Sequence, residues 1–84
     1  MINVMIVDDN TNIVKGLKIL IDWEELGFSV AATAKNAYEA IDAMKKNKID
    51  VVITDIRMPE MSGLELLKYL RENHPDITLI TISG

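Results

Sequence analysis

Four strand-like segments, separated by segments of helical spacing, constrain the fold of this 84-residue chain. Three of them, residues 2–7, 50–54 and 77–82, are mostly apolar on both faces, as in parallel strands covered on both sides. The fourth, residues 28–34, alternates apolar and polar side chains, which predicts a half-exposed edge strand. Because single helices separate these strands, we expect parallel pairing with right-handed crossovers.

The helical segments carry start and stop signals. Residues 11–26 are predicted to form one helix that stops at Gly27. Asn36 is predicted to cap a second helix, which ends near Asn47, and Ser62 begins the capping box of a third. The apolar positions predicted to face the core are Ile13, Leu17, Leu20 and Ile21 in the first helix, Ala37, Ala40, Ile41 and Met44 in the second, and Leu64, Leu67 and Leu70 in the third.

Composition narrows the class of protein. An apolar fraction of 49% is sufficient for a globular core, and the length predicts a single domain over residues 1–84. The net charge of -4, with no run of Lys or Arg, is a poor match to a phosphate backbone, so we expect no direct nucleic-acid contact. The absence of cysteine excludes disulfides and thiolate metal sites. We expect a cytoplasmic chain without a signal peptide or a membrane span.

Three aspartates follow predicted strands. Asp8 and Asp9 come directly after the first strand, and Asp55 ends the third. The carboxyl ends of parallel strands line a crevice where ligands bind, so these carboxylates are expected to meet there. Close carboxylates resist ionisation unless a cation shares the site, and hard oxygen ligands suit Mg²⁺. For Asp8 and Asp9 the competing interpretation is N-terminal capping of the first helix.

The aspartates, the loop Arg57-Met58-Pro59-Glu60-Met61-Ser62-Gly63 and Ser83 together resemble the receiver domain of bacterial two-component response regulators. The resemblance implies a flavodoxin-like, three-layer α/β/α fold with strand order 2-1-3-4. It also implies a phosphoacceptor signalling domain rather than an enzyme, with at most Mg²⁺-assisted self-phosphorylation.

The resemblance assigns roles to individual residues. Asp55 would accept a phosphoryl group from a histidine kinase, while Asp8 and Asp9 would hold Mg²⁺ together with Asp55. The backbone carbonyl of Arg57 would supply a further metal ligand. Ser83 would provide the hydroxyl that reaches the phosphoryl group and begins the conformational switch. As a residue near the end of the sequence, Ser83 is also consistent with a frayed polar position.

A finer resemblance lies in Ile21-Asp22-Trp23-Glu24-Glu25-Leu26-Gly27-Phe28, which is similar to receivers fused to AraC-type helix-turn-helix domains. It implies a parent protein that regulates transcription. The chain departs from the family pattern because it offers four strands and three helices, whereas receivers have five of each. We therefore expect an incomplete receiver, truncated after its fourth strand, in which no lysine matches the one that the family places beside the phosphoryl group.

Two alternatives remain open at this point. In the first, the chain is an interaction module without a phosphoryl switch, and it forms a homodimer through the apolar edge of its fourth strand. In the second, it is a small Mg²⁺-dependent phosphatase, but no Asp-x-Asp motif follows Thr54 to supply a general acid.

Overall fold

A single parallel sheet organises the chain. The computed structural model describes residues 1–55 and 63–82, and the strands it contains lie in the order β2-β1-β3-β4, all paired in parallel. The predicted alternation and sheet order are confirmed. The elements are β1 (Ile2–Val7), α1 (Thr11–Leu20), β2 (Phe28–Ala34), α2 (Ala37–Lys46), β3 (Val51–Asp55), α3 (Gly63–Asn73) and β4 (Thr78–Ile82).

The central strand β1 is buried on both faces, which makes the fold a three-layer α/β/α arrangement. Its Val4 and Ile6 side chains pack on one side with Val14 of α1. Its Met5 and Val7 side chains point to the other side, because neighbouring residues of a strand face opposite ways. There they meet the inner residues of the other two helices, namely Ala37, Ala40, Met44, Leu66 and Leu70.

Helix α1 is shorter than the sequence predicted. The predicted helix over residues 11–26 is wrong beyond Leu20, because the following residues form turns. The carbonyl oxygen of Leu17 in the last helical turn accepts from the C-cap N–H of Ile21 at 3.4 Å and from the indole Nε1–H of Trp23 at 3.1 Å. Gly27 has a φ of 88°, so this glycine ends the turn before β2 and does not end the helix.

The inner faces of two helices also differ from the prediction. In α1 the side chain of Val14 is buried, whereas Leu20 is 85% exposed. In α3 Leu66 and Leu70 are fully buried, whereas the predicted inner residue Leu64 is exposed. Both helices carry apolar residues around more than half of their circumference, so periodicity alone does not decide which stripe faces the sheet. The predicted inner face of α2 is confirmed for Ala37, Ala40 and Met44, with Ile41 partly buried.

Helix α2 begins as predicted. Its N-cap is Asn36, whose Oδ1 accepts a hydrogen bond from the backbone N–H of Glu39 at 2.8 Å. The Glu39 carboxylate reaches back to the N–H of Lys35, one residue before the position that a capping box would use. Asn47 caps the other end, also as predicted. The proposed capping box at Ser62 lies outside the described residues.

Asp50 joins three strands at the end of the sheet opposite the aspartates. Its carboxylate Oδ2 accepts from the N–H of Asn3 at 2.8 Å, and its own N–H donates to the Asn3 carbonyl at 2.9 Å. Its carbonyl accepts from the N–H of Thr78 at 3.0 Å. Asp50 therefore connects β1, β3 and β4 where they enter the sheet.

In the part of the chain that the structure describes, no helix is long and apolar enough to cross a membrane.

We expect Asp50→Ala to lower the free energy of unfolding by about 1–3 kcal/mol, because it leaves the part-buried N–H of Asn3 without its acceptor. The matched control is Asp42→Ala, which removes the exposed ion pair with Lys46 and should change stability by less than about 0.5 kcal/mol. Chemical denaturation of both variants measures the difference. Equal losses in the two variants would contradict a role for Asp50 in joining the strands.

Candidate metal centre

Three carboxylates meet at the carboxyl ends of β1 and β3. Asp8 and Asp9 directly follow β1, and Asp55 is the last residue of β3. The two strands are parallel neighbours, with Val7 paired to Thr54, so the carboxyl ends of both strands lie at the same edge of the sheet. One carboxylate oxygen from each aspartate lies within 4.8 Å of the others. The structure thus brings together the three aspartates that the sequence singled out.

The three carboxylates differ in their access to solvent. Asp8 is only 3% exposed, Asp55 is half-buried and Asp9 is exposed. The backbone N–H of Asp8 donates to the Ala34 carbonyl at 3.0 Å, which extends the pairing of β1 with β2 by one residue. Its carboxylate Oδ1 accepts from the backbone N–H of Asn10 at 2.9 Å. Asp8 is therefore fixed on both its backbone and its side chain.

Burial and neighbouring charge act on the ionisation of Asp8. Burial raises the pKa of Asp8 above its usual value, and this is the largest influence. The N–H of Asn10 favours the charged form and lowers the pKa, while the negative charge of Asp55 and the hydrogen bond and charge of Asp9 raise it further. The net direction is upward. The folded chain therefore stabilises the protonated form of Asp8, unless a cation offsets the negative charge.

Neither member of the acidic pair caps α1. The N-cap is Asn10, whose side-chain Oδ1 accepts from the N–H groups of Asn12 and Ile13. The interpretation of Asp8 and Asp9 as helix caps is thus wrong. Asn10 was not predicted as the N-cap, although asparagine directly before a helical segment is a strong capping signal.

The donor set fits a hard divalent cation. Carboxylate oxygens are the ligands that such ions prefer, and three of them converge on one point of the described structure. Opposite ligands of one Mg²⁺ ion are about 4.2 Å apart, and those of one Ca²⁺ ion about 5 Å apart. The three carboxylate oxygens lie within 4.8 Å of one another, so the group has about the size that one such ion requires. The predicted ligand Arg57 and the predicted switch residue Ser83 lie outside the described residues.

Comparison with known proteins agrees with this arrangement. Residues 4–84 match the family described as the response regulator receiver domain. The chain is 37% identical over its full length to the uncharacterized transcriptional regulatory protein YesN of Bacillus subtilis, and 39% identical to the transcriptional regulatory protein HptR of Staphylococcus aureus. It covers only 23% and 32% of those two proteins.

The solved structures give the same result. The receiver domain of AraT, a response regulator from Geobacillus stearothermophilus, superimposes with a TM-score of 0.92 at 39% identity. That superposition covers 98% of this chain and 64% of the AraT chain. The chain belongs to the response regulator receiver domain family. It is a receiver domain whose curated relatives are transcriptional regulators, and receivers are signalling domains with a flavodoxin-like fold.

The raised pKa of Asp8 gives a pH prediction. Because the folded pKa exceeds the unfolded one, the stabilising contribution of protonated Asp8 is present at acid pH and is lost as pH rises through the folded pKa. In a metal-free buffer at neutral pH, Asp8→Asn should therefore raise the free energy of unfolding, since asparagine keeps an acceptor for the Asn10 N–H without the charge. Thermal and urea unfolding from acid to neutral pH, with a chelator present, measure the effect.

The exposed control variant Asp42→Asn should follow the wild-type pH dependence, whereas Asp8→Asn should lose part of it. Lower stability of Asp8→Asn than of the wild type at neutral pH would contradict the assigned electrostatic cost.

Proposed function

We propose that Asp55 is the phosphoacceptor of this receiver domain. The observation that carries the proposal is the convergence of Asp55 with Asp8 and Asp9 at the carboxyl edge of the sheet, in a chain of the receiver family. A carboxylate oxygen of Asp55 would attack the phosphorus of a phosphohistidine on a histidine kinase. The new bond joins that oxygen to phosphorus, the phosphorus–nitrogen bond breaks, and the imidazole leaves with the electron pair and takes up a proton.

Asp8 and Asp9 would hold Mg²⁺ beside the acceptor, with Asp55 and the backbone carbonyl of Arg57 as further ligands. When bound, the ion neutralises charge on the transferring phosphoryl group, which is the main requirement of phosphoryl transfer. The support from this chain is the rigid placement of Asp8, which is held by Ala34 and Asn10. Ser83 would supply the switch hydroxyl, a role that follows from its match to the family motif.

The whole protein, as we propose it, regulates transcription in the bacterial cytoplasm in response to this phosphorylation. The relatives YesN and HptR are named as transcriptional regulatory proteins, and this chain matches only 23% and 32% of their lengths. The net charge of -4 is unfavourable for contact with a phosphate backbone. DNA binding would therefore belong to another part of the parent protein, and the receiver would act as its input.

The phosphoacceptor assignment predicts the outcome of a labelling experiment. Incubation with phosphoramidate and Mg²⁺ should add one phosphoryl group to the wild-type chain, measured by intact mass, and hydroxylamine should remove it because an acyl phosphate is labile. Asp55→Asn should abolish the label, because the amide is not a nucleophile for phosphorus.

The control Asp42→Asn, an exposed aspartate on α2, should be labelled at the wild-type level. A hydroxylamine-labile label of undiminished amount on Asp55→Asn would overturn the assignment. Labelling that persists at full rate in a chelator would overturn the proposed metal dependence.

A second candidate function is association through β4. Among the described residues, β4 pairs only with β3, and Ile80 on this strand is 47% exposed. An apolar strand edge of this kind favours pairing with another strand. Sedimentation velocity over a wide concentration range should then show a monomer–dimer equilibrium, which Ile80→Lys shifts to monomer. A wild-type chain that stays monomeric at the highest concentration would contradict this candidate.

A further inference from the structure

Asn10 lies between the carboxylate site and the start of α1, and hydrogen bonds connect it to both. We propose that Asn10 is a positioning residue, which fixes the Asp8 carboxylate for cation binding by anchoring it to α1. This inference rests on the proposed cation-binding role of Asp8, Asp9 and Asp55.

The first part of the argument is the connection of Asn10 to the helix. The side-chain Oδ1 accepts from the N–H of Asn12 at 3.0 Å and from the N–H of Ile13 at 3.3 Å. Its backbone carbonyl accepts from the N–H groups of Ile13 and Val14 at 3.1 and 3.3 Å. These bonds fix the Cα of Asn10 and its carbonyl relative to the first turn, because side chain and carbonyl are both engaged.

The second part is the connection of Asn10 to the site. Its backbone N–H donates to Asp8 Oδ1 at 2.9 Å. This N–H belongs to the Asp9–Asn10 peptide, which joins the capping side chain and the carbonyl at the Cα of Asn10, so the cap acts on its direction through the backbone angle φ of Asn10, which is -89°. A carboxylate has two oxygens, so a bond that holds one of them also restricts where the other points. The cap therefore acts on the carboxylate through the Asn10 N–H, without the Asn10 side chain touching a cation.

The third part is the rigid support behind α1. The first turn carries Val14, which is buried in the core cluster with Val4 and Ile6 of β1. The backbone of Asp8 is held independently, by the bond of its N–H to Ala34 in β2. Asp8 is thus held from two sides, by the sheet through its backbone and by the packed helix through Asn10. Loss of the cap removes one of these supports and leaves the other.

Coupling of this kind acts in both directions. If an ordered cap favours cation binding, a bound cation must favour the ordered cap by the same free energy. The backbone amides of Asn12 and Ile13 donate hydrogen bonds to the Asn10 side chain. Their protons should therefore exchange more slowly with solvent when Mg²⁺ is present. The amide of Glu39 has the same relation to the α2 cap Asn36 and serves as an internal reference.

The test compares two helix caps of the same residue type. Asn10→Ala and Asn36→Ala each remove a side-chain oxygen that accepts from the first turn of a helix, and the described hydrogen bonds of Asn36 include none to the three carboxylates. Calorimetric titration with Mg²⁺ alone measures the dissociation constant of each variant, and thermal unfolding in a chelator measures its stability. Both variants should show a lowered Tm, but only Asn10→Ala should weaken Mg²⁺ binding, by about 10-fold, the low end for residues behind metal ligands.

Asn10→Ser should restore the affinity, because serine is an equally good N-cap. Equal Mg²⁺ affinity in Asn10→Ala and Asn36→Ala would overturn the inference, as would weak binding that serine does not restore. Equal effects of Mg²⁺ on the exchange of the Asn12, Ile13 and Glu39 amides in the wild-type chain would overturn it without any variant. A wild-type chain that binds no Mg²⁺ would instead refute the cation site itself.

Discussion

The burial of β1 on both faces is the constraint on which the rest of the structure depends. A strand that is apolar toward both helical layers has to be internal, and in this sheet it lies between β2 and β3. Its parallel pairing with β3 then brings the carboxyl ends of the two strands to the same edge. The aspartates that follow Val7 and Thr54 must therefore lie beside one another at this edge. The electrostatic character of the site is therefore a consequence of hydrophobic pairing several residues away.

Placing three like charges together has a cost that the surrounding structure only partly offsets. The N–H of Asn10 stabilises the ionised form of Asp8, but burial and the charges of Asp55 and Asp9 outweigh it, so the pKa of Asp8 is raised. A divalent cation would reverse this balance, because the same burial that penalises an isolated carboxylate strengthens its attraction to a positive ion. The charged carboxylates are thus less stable without a cation than with one, and this difference in free energy would contribute to the affinity of the site for a cation.

The sequence predicted the architecture and the composition of the acidic site, and the reasons are local. The convergence of Asp8, Asp9 and Asp55 follows from where two apolar runs end, which the sequence shows directly, whereas the strand order followed from the resemblance to receivers. The end of α1 could not be predicted from periodicity, because apolar residues continue past Leu20 at helical spacing while Ile21 caps the helix and the Trp23 indole donates back to the Leu17 carbonyl. The buried face of α3 could not be predicted from the sequence either, since the leucines at 64, 66, 67 and 70 are compatible with more than one buried face.

The three aspartates differ in solvent exposure, and the differences agree with the separate roles that we propose for them. A carboxylate that only holds a cation can be buried, provided that its orientation is fixed, and Asp8 is both buried and hydrogen-bonded. A phosphoacceptor has to meet a donor carried by another protein, so it needs access to solvent, and Asp55 is half-buried at the end of its strand. This order of exposure arises because Asp8 continues the pairing of β1 with β2 through the Ala34 carbonyl, whereas Asp55 ends its strand. Moving the acidic residue of β1 one position toward the sheet, to the place of Val7, would bury it in the core cluster with Met5, Ala34 and Ala37, where the same carboxylate could serve neither role.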